Sequence, residues 1–523
     1  MAALSVVKEK LLTRTDNITF ILLTCLSVAA IVSFLVQWLS FGDWRTHLGS
    51  FLILTFIVFF RVANSLARWF ILPFMKRPRR MEPREGLKVA VVTTFVPGAE
   101  SLEMLDETVK ALVALEYPHD TWVLDEGDDE LVKSLCRRRG ASHFSRKNLP
   151  HYQTDDGTFK VRCKHGNYNA WLYEVGFDRY EIITAFDPDH VPAPSFLSHV
   201  LGYFEDPKIG YVQAPQAYYN QEASFIARGA AEETYEYCSC TQMGAYYFGQ
   251  PAVVGCHNTH RVKALKEVGG FAAHDADDLL IGLLYQAQGW NGVYVPRIIA
   301  RGVTPVDWDG YLTQQLRWAR SVIDVKYRLH HLLGKELSLT GRAISAVDGL
   351  FYLQNSITTF MGLLLLAYML MTGDVPAVVS YPILLQFVLL VATLQLCAFY
   401  RQRFYLNPRR EWGTHWRAKL LRYAKWPVCI WAFWDVAQGS RVPYILTRKV
   451  RAESHSYKLL IPHTLIIVLV SAAWVLGRLL GSNVPWLVYW ITAAVMAVSF
   501  FLILTDYLHF PEPYEKGLLR QDA

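Results

Sequence analysis

The sequence is short of charge. Only 19% of its 523 residues are Asp, Glu, Lys or Arg, where an average soluble domain carries about 25%. It has no internal repeat and no low-complexity tract, which excludes fibrous and disordered classes. Cysteines are few, eight in all, and none pair in C-x-x-C spacing. Cys238 and Cys240 stand two apart, which suits neither a zinc knuckle nor a redox motif. A disulfide scaffold is thereby excluded, and the eight read as reduced thiols of cytosolic or membrane-embedded segments. Excess charge of one sign is also missing. The net +6 is too mild to indicate a nucleic-acid partner.

Apolar residues are what the chain has in plenty. They make up 52% of it, aromatics 14%, and the mean hydropathy is +0.16. So much apolar surface calls for lipid or a very large core, and the length allows two to four domains. A span needs about 20 apolar residues. Ile18–Leu39, Gly349–Met371, Pro376–Tyr400, Leu459–Gly477 and Pro485–Thr505 meet this. A sixth, Gly49–Leu72, carries Arg61, Asn64 and Arg68. Arg68 is expected to snorkel to the interface, whereas Arg61 requires a tilted helix, a protein partner or a wet cavity. The first span lacks a small-residue cleavage site and reads as an anchor.

Basic residues crowd the N-terminal tail, the segment after the second span and the stretch Arg401–Lys458. By the positive-inside rule these regions, both termini and the long middle are expected on the cytoplasmic side of an inner (plasma) membrane. Trp426–Ala437 is short, Trp-rich and contains Asp435, so it reads as an interfacial helix rather than a seventh span. The resulting organisation is a two-span region over 1–86, a cytoplasmic domain over 87–330 and a four-span region over 331–523.

The middle differs in composition. Lys88–Phe95, Thr121–Leu124 and Glu181–Phe186 read as buried strands, and Leu102–Leu115 has helical periodicity. This alternation predicts a parallel α/β sheet, with ligands outside the carboxyl ends of its strands. Asp125 and Asp187-x-Asp189 stand at those ends. Paired carboxylates suit a hard divalent cation shared with phosphate, Mg²⁺ or Mn²⁺, although Asp and Pro also make ordinary turns. Lys164 opens KHGNYN, where a Lys beside a Gly–Asn turn offers charge to phosphate. Asp277 and Asp278 precede an apolar-periodic run. They are either helix-capping acids or a general base whose pKa a neighbouring carboxylate raises. Gln314, Arg317 and Trp318 share a helix just before the membrane returns. They suit either a diphosphate and a sugar or an amphipathic helix lying on lipid.

In this order, Asp125, Asp187-x-Asp189, Asp277-Asp278 and Gln314-x-x-Arg317-Trp318 resemble the D, DxD, (T/E)D, QxxRW series of processive family 2 glycosyltransferases, which include cellulose, hyaluronan, chitin and chitooligosaccharide synthases. The similarity runs over about residues 88–325, and it takes in KHGNYN, VQAPQAYYN and the GGF…GW spacing around Asp278. It implies a GT-A-like, Rossmann-related domain fused to about six transmembrane helices. It implies a polymerase of a β-linked polysaccharide, a β-glucan from UDP-glucose before an N-acetylglucosamine polymer. Thr93, Thr94 and Asp125 would hold the nucleoside, and Lys164 and Arg317 the diphosphate. Asp187 and Asp189 would hold nucleotide and metal. Asp278, with Asp277 beside it, would be the base, and Gln314 and Trp318 would lie near the acceptor. Tyr444–Lys449 resembles a gating loop, with Thr447 and Lys449 facing the nucleotide. The partners implied are the UDP-sugar donor, the growing polysaccharide and the lipid bilayer, with room for accessory export subunits.

There are departures from the pattern. Glu126 replaces a frequent Asp, Ala276-Asp277 replaces Thr-Glu, and Val254-Gly255-Cys256-His257-Asn258 differs from the FFCGS-type acceptor segment. The 18 residues after Thr505 leave no room for a cyclic-dinucleotide-binding barrel, so regulation by that route within this chain is not expected. Two other readings compete: single-sugar transfer to a lipid carrier, and a transporter or scaffold with a degenerate domain. The latter predicts a missing carboxylate in the series, and none is missing.

Overall fold

The computed structural model describes residues 5–40, 46–98, 100–329, 339–439 and 457–507. The β-branched runs of the middle form a seven-stranded sheet. Its strands are β1 (Val89–Phe95), β2 (Asp120–Asp125), β3 (Ser142–Phe144), β4 (Ile182–Phe186), β5 (Ile209–Gln213), β6 (Asn258–Arg261) and β7 (Asn291–Tyr294), in the order β7-β5-β6-β4-β1-β2-β3. The expectation of an all-parallel sheet is corrected. β1, β2, β3 and β4 are parallel, but β6 runs antiparallel to both β4 and β5. The sequence around β6 (NTHR) has no apolar run to mark it as a strand, because its pairing on both sides comes from its neighbours.

The sheet is buried on both faces. Along β1, Val89 and Val91 join one apolar cluster while Ala90 and Val92 join another, as the two-residue side-chain period requires. The first cluster continues beyond the sheet. It includes Trp69 and Leu72 from the end of the second long helix and Cys397 from the fourth. The core of the sheet and the helical bundle are therefore packed together.

Among the described residues, six helices are long and apolar enough to cross a membrane: Arg14–Ser40, Leu48–Phe74, Tyr352–Thr372, Tyr381–Phe404, Ile461–Leu479 and Trp486–Thr505. They fall where the hydropathy places them. Arg61 is satisfied by protein, donating to the hydroxyls of Thr358 at 3.0 Å and Thr359 at 3.2 Å. Arg68, near the end of the second of these helices, pairs with Glu236 at 3.4 Å, because the helix Phe225–Glu236 lies against the base of the bundle. Trp426–Ala437 is a single helix. Cys429 and Ala432 face inward, while Trp431 and Trp434 stay 66% and 61% exposed. That is the one-sided burial expected of an interfacial helix.

The basic stretch after the fourth helix has specific partners on Phe225–Glu236. Glu232 accepts from the Ala418 backbone at 3.2 Å and faces Arg417 at 3.5 Å. Glu233 meets Lys425 at 2.9 Å and accepts from Tyr311 at 2.7 Å. Glu236 meets Arg401 at 2.9 Å as well as Arg68.

Candidate active site

The register of the sheet brings the strand-end residues together. β1 lies between β2 and β4, with Phe95 opposite Asp125 and Thr93 opposite Phe186, the residue before Asp187. Thr93, Thr94, Asp125 and Asp187 therefore line one edge. The Thr93 hydroxyl is buried without a hydrogen-bond partner. Asp125 is fully buried and turned onto its own loop. It accepts from the backbone of Gly127 at 2.8 Å and Asp129 at 2.6 Å, with His143 at 3.2 Å. Its direct contribution is to fix the shape of the loop after β2.

Lys164 is the first residue of the helix Lys164–Trp171, not part of a Gly–Asn turn. Gly166 is needed there for close packing, since a Cβ would lie 2.1 Å from the Lys160 carbonyl oxygen. The Lys164 ammonium donates to Asp187 at 2.5 Å and to the Gly255 carbonyl at 2.5 Å. Although burial opposes its charge, Asp187 leads the influences that hold the Lys164 pKa well above the usual value. For Asp187, burial works upward and Lys164 works downward, and the net direction is down.

Asp277 and Asp278 open the helix Asp277–Ala287, so the capping and the functional readings describe the same residues. Asp278 accepts from the Leu279 N–H at 2.7 Å. Burial, and then the charge of Asp277, push the Asp278 pKa up to about 7. Burial also raises Asp277. Lys164, Gly255, Asn258, Asp277 and Asp278 enclose a space of about 10 Å³, room for roughly one water. Gly255 keeps this gap open: a Cβ there would lie 3.2 Å from Asp278 Oδ2 and 3.9 Å from Lys164 Nζ.

Asp187, Asp189 and His190 offer ligand atoms within 4.8 Å of one another. Two carboxylates with one imidazole fit a hard divalent cation better than a soft one. His190 is 1% exposed, and neither of its ring nitrogens is hydrogen-bonded. Burial opposes its charge, but Cys256 and Asp189 raise its pKa to about 10. The sequence reading passed over His190 as a ligand, and it also passed over Cys256 and His257 behind it. The signal was present in D-x-D-H and in the departure Gly255-Cys256-His257.

Gln314, Arg317 and Trp318 lie on the helix Trp308–Ile323, with Gln314 buried and the other two half-buried. The helix is tied to the acidic segment through its next turn. Asp324 meets His274 at 2.8 Å, and Val325 packs on Ala276 and Leu283. Thr447 and Lys449, with the rest of Tyr444–Lys449, fall outside the described residues. A larger cavity of about 370 Å³ lies beyond Tyr218 and is lined by Tyr219, Tyr235, Arg301 and Arg410. It is bordered by Gln216–Tyr219 of the VQAPQAYYN segment but by none of the acids, Lys164 or the Gln314, Arg317 and Trp318 group.

Residues 182–400 match the model of the glycosyl transferase family group 2. The match starts within β4 and runs on into the fourth long helix. The chain is 28% identical over 268 residues to the UDP-forming cellulose synthase catalytic subunit of Pseudomonas fluorescens SBW25, covering 49% of this chain and 34% of that one. It is 25% identical over 360 residues to the cellulose synthase 1 catalytic subunit of Komagataeibacter xylinus, covering 65% and 45%. The chain thus spans about a third of the first of these relatives and under half of the second. A mannosyltransferase of Pyrobaculum calidifontis, solved with GDP-Man and Mn²⁺, superposes with a TM-score of 0.50 at 16% identity, over 75% of this chain and 99% of that one. That likeness establishes the fold. In sequence the chain is thus similar to family 2 glycosyltransferases, among them the catalytic subunits of bacterial cellulose synthases, over part of their length.

Proposed function

We propose that this chain is an inverting, processive synthase that builds a β-glucan from UDP-glucose on the cytoplasmic side of the inner membrane and extrudes it through its helices. The observation that carries the reading is the gathering of Lys164, Asp187, Asp277 and Asp278 around one small cleft at the strand ends. The likeness to UDP-forming cellulose synthases supports the sugar.

The nucleoside lies along Thr93, Thr94 and the loop shaped by Asp125. Lys164 exchanges its bond to Asp187 for the diphosphate, aided by Arg317. Asp187, Asp189 and His190 would hold Mg²⁺ or Mn²⁺, whose chemistry there is that of a Lewis acid spreading the charge on the leaving diphosphate. Asp278 takes the proton from the acceptor hydroxyl. Its pKa of about 7 suits a base working near neutrality. Asp277 keeps that pKa high. Gln314 and Trp318 position the acceptor end. One displacement inverts the anomeric centre, so an α-linked donor yields a β-linkage.

The test is to incubate inverted membrane vesicles with a panel of labelled UDP-sugars and digest the product with linkage-specific glycanases. UDP-glucose is expected to give a high-mass, β-glucanase-sensitive polymer protected inside the vesicles. Label found only as single sugars on lipid, or incorporated only from UDP-N-acetylglucosamine, would replace this reading with one of its rivals.

A further inference from the structure

His257 is fully buried, and Cys256 and His190 are each 1% exposed. Their ligand-capable atoms lie within 4.8 Å of one another. The two imidazoles meet edge to face, with ring centroids 4.8 Å apart. His257 Nδ1 stands 2.9 Å from the Pro215 carbonyl, to which it must donate, because a carbonyl only accepts. That bond fixes the tautomer and leaves a lone pair on Nε2, an atom with no hydrogen-bond partner. A backbone carbonyl behind a histidine in this way is the usual support of a metal ligand. His257 is also held at φ +55, a left-handed conformation that is uncommon for a non-glycine residue and tends to persist at functional positions. Beside His190, Gly302 supplies clearance: a Cβ there would lie 2.0 Å from Nε2.

We propose that His190, Cys256 and His257 form a second cation site, suited to a thiophilic divalent ion such as Zn²⁺, which shares His190 with Asp187 and Asp189. One sulfur and two imidazoles make a softer donor set than two carboxylates and one imidazole. Three protein ligands with an open position are also a common zinc arrangement. Binding requires the Cys256 thiol proton and one proton of the His190 imidazolium to leave to solvent as the sulfur and the nitrogen bond to the ion. Because one imidazole serves both ligand sets, Zn²⁺ at the soft site competes with the hard cation of the donor site. Only this competition rests on the proposed function. The soft site itself does not.

The probe is Co²⁺ added to the purified full-length protein in detergent, read by absorption. An intense near-ultraviolet thiolate-to-cobalt band is expected, displaced by Zn²⁺ and absent in Cys256→Ser. Loss of a ligand should weaken binding at least as much as loss of outer-shell support does, by about 10–100-fold, and His257→Asn should show such a loss. In the unaltered protein, Zn²⁺ should shield Cys256 from alkylation, read by mass spectrometry, so the site is tested even if the variants fail to fold. No cobalt–sulfur band, or a Cys256 alkylated equally with and without Zn²⁺, overturns the proposal. A band with no glycosyl transfer from any nucleotide sugar would sink the proposed function and leave the site standing. Transfer that proceeds with Mn²⁺ and is unaffected by Zn²⁺, in a protein that shows the band, would refute the shared imidazole.

Discussion

Two regions of this molecule bury carboxylates, and they do it differently. At the junction with the helical bundle, Glu232, Glu233 and Glu236 each have a cation within 3.5 Å: Arg417, Lys425 and Arg401. In the cleft, Asp187 takes the Lys164 ammonium, and the two acids that open the neighbouring helix are left with raised pKa values, Asp278 at about 7. At the junction each acid is held between two cations, which makes it a joint. The cleft carries surplus negative charge, which makes it able to take a cation or a proton. Buried carboxylates alone do not distinguish a structural network from a reactive site; the ratio of cations to anions does.

The largest effect expected is on turnover. Asp278→Asn removes the base and should lower polymer formation by about 10²–10⁴-fold, with donor affinity by calorimetry little changed. Unimpaired synthesis by that variant would remove Asp278 from its role and blur the contrast. At the junction, Lys425→Met takes from buried Glu233 its nearer cation and leaves Arg422 at 3.6 Å. It should cost about 1–3 kcal/mol of stability, read by thermal unfolding in detergent, and Glu233→Gln in the same chain should restore most of it. If Lys425→Met unfolds like the parent, Lys425 is not part of the network described.

A smaller effect is expected at Gly302→Ala, where the new methyl overlaps the His190 ring. Overpacking of this kind costs about 1–3 kcal/mol, and Mn²⁺ affinity should fall with it. An unchanged Mn²⁺ titration would show that His190 is not a ligand. The finest test is of pH. With Asp278 near 7, the rate should rise as pH rises through 7, because the base must be ionised. The same raised pKa means that the native state holds a proton which the unfolded chain releases. Its stabilising share is therefore full below about pH 4, the unfolded value, and is lost as pH climbs through 7. Asp277→Asn should move the rate limb to lower pH. Burial, the larger cause, should keep the limb above the ordinary carboxylate range. A limb that does not move would show that Asp277 leaves its neighbour's charge unaffected.

Much of this architecture is legible in one dimension. The spans are long apolar runs, and no other structure satisfies so many backbone groups in lipid. β1, β2 and β4 announce themselves because strands buried on both faces are continuous apolar stretches. β6 was invisible, since Asn258–Arg261 is a strand only through the partners on its two sides. The partner of Arg68 was hidden for a related reason. Hydropathy sees an arginine near a helix end, whereas Glu236 is 168 residues away. His190, Cys256 and His257 escaped notice because residues 66 or more positions apart in the chain meet only after β4 and β6 pair.

The sequence by itself determined which residue types exist, which segments must lie in lipid, and which strands carry acids at their ends. These follow from local composition and period, which act over a few residues. Only the tertiary structure decided how many cations each acid meets, which histidine nitrogen is left bare, and that burial beside Asp277 raises the Asp278 pKa to about 7. Those outcomes depend on burial and on Coulomb interactions over a few ångströms of space, and proximity of that kind is set by packing, not by order along the chain.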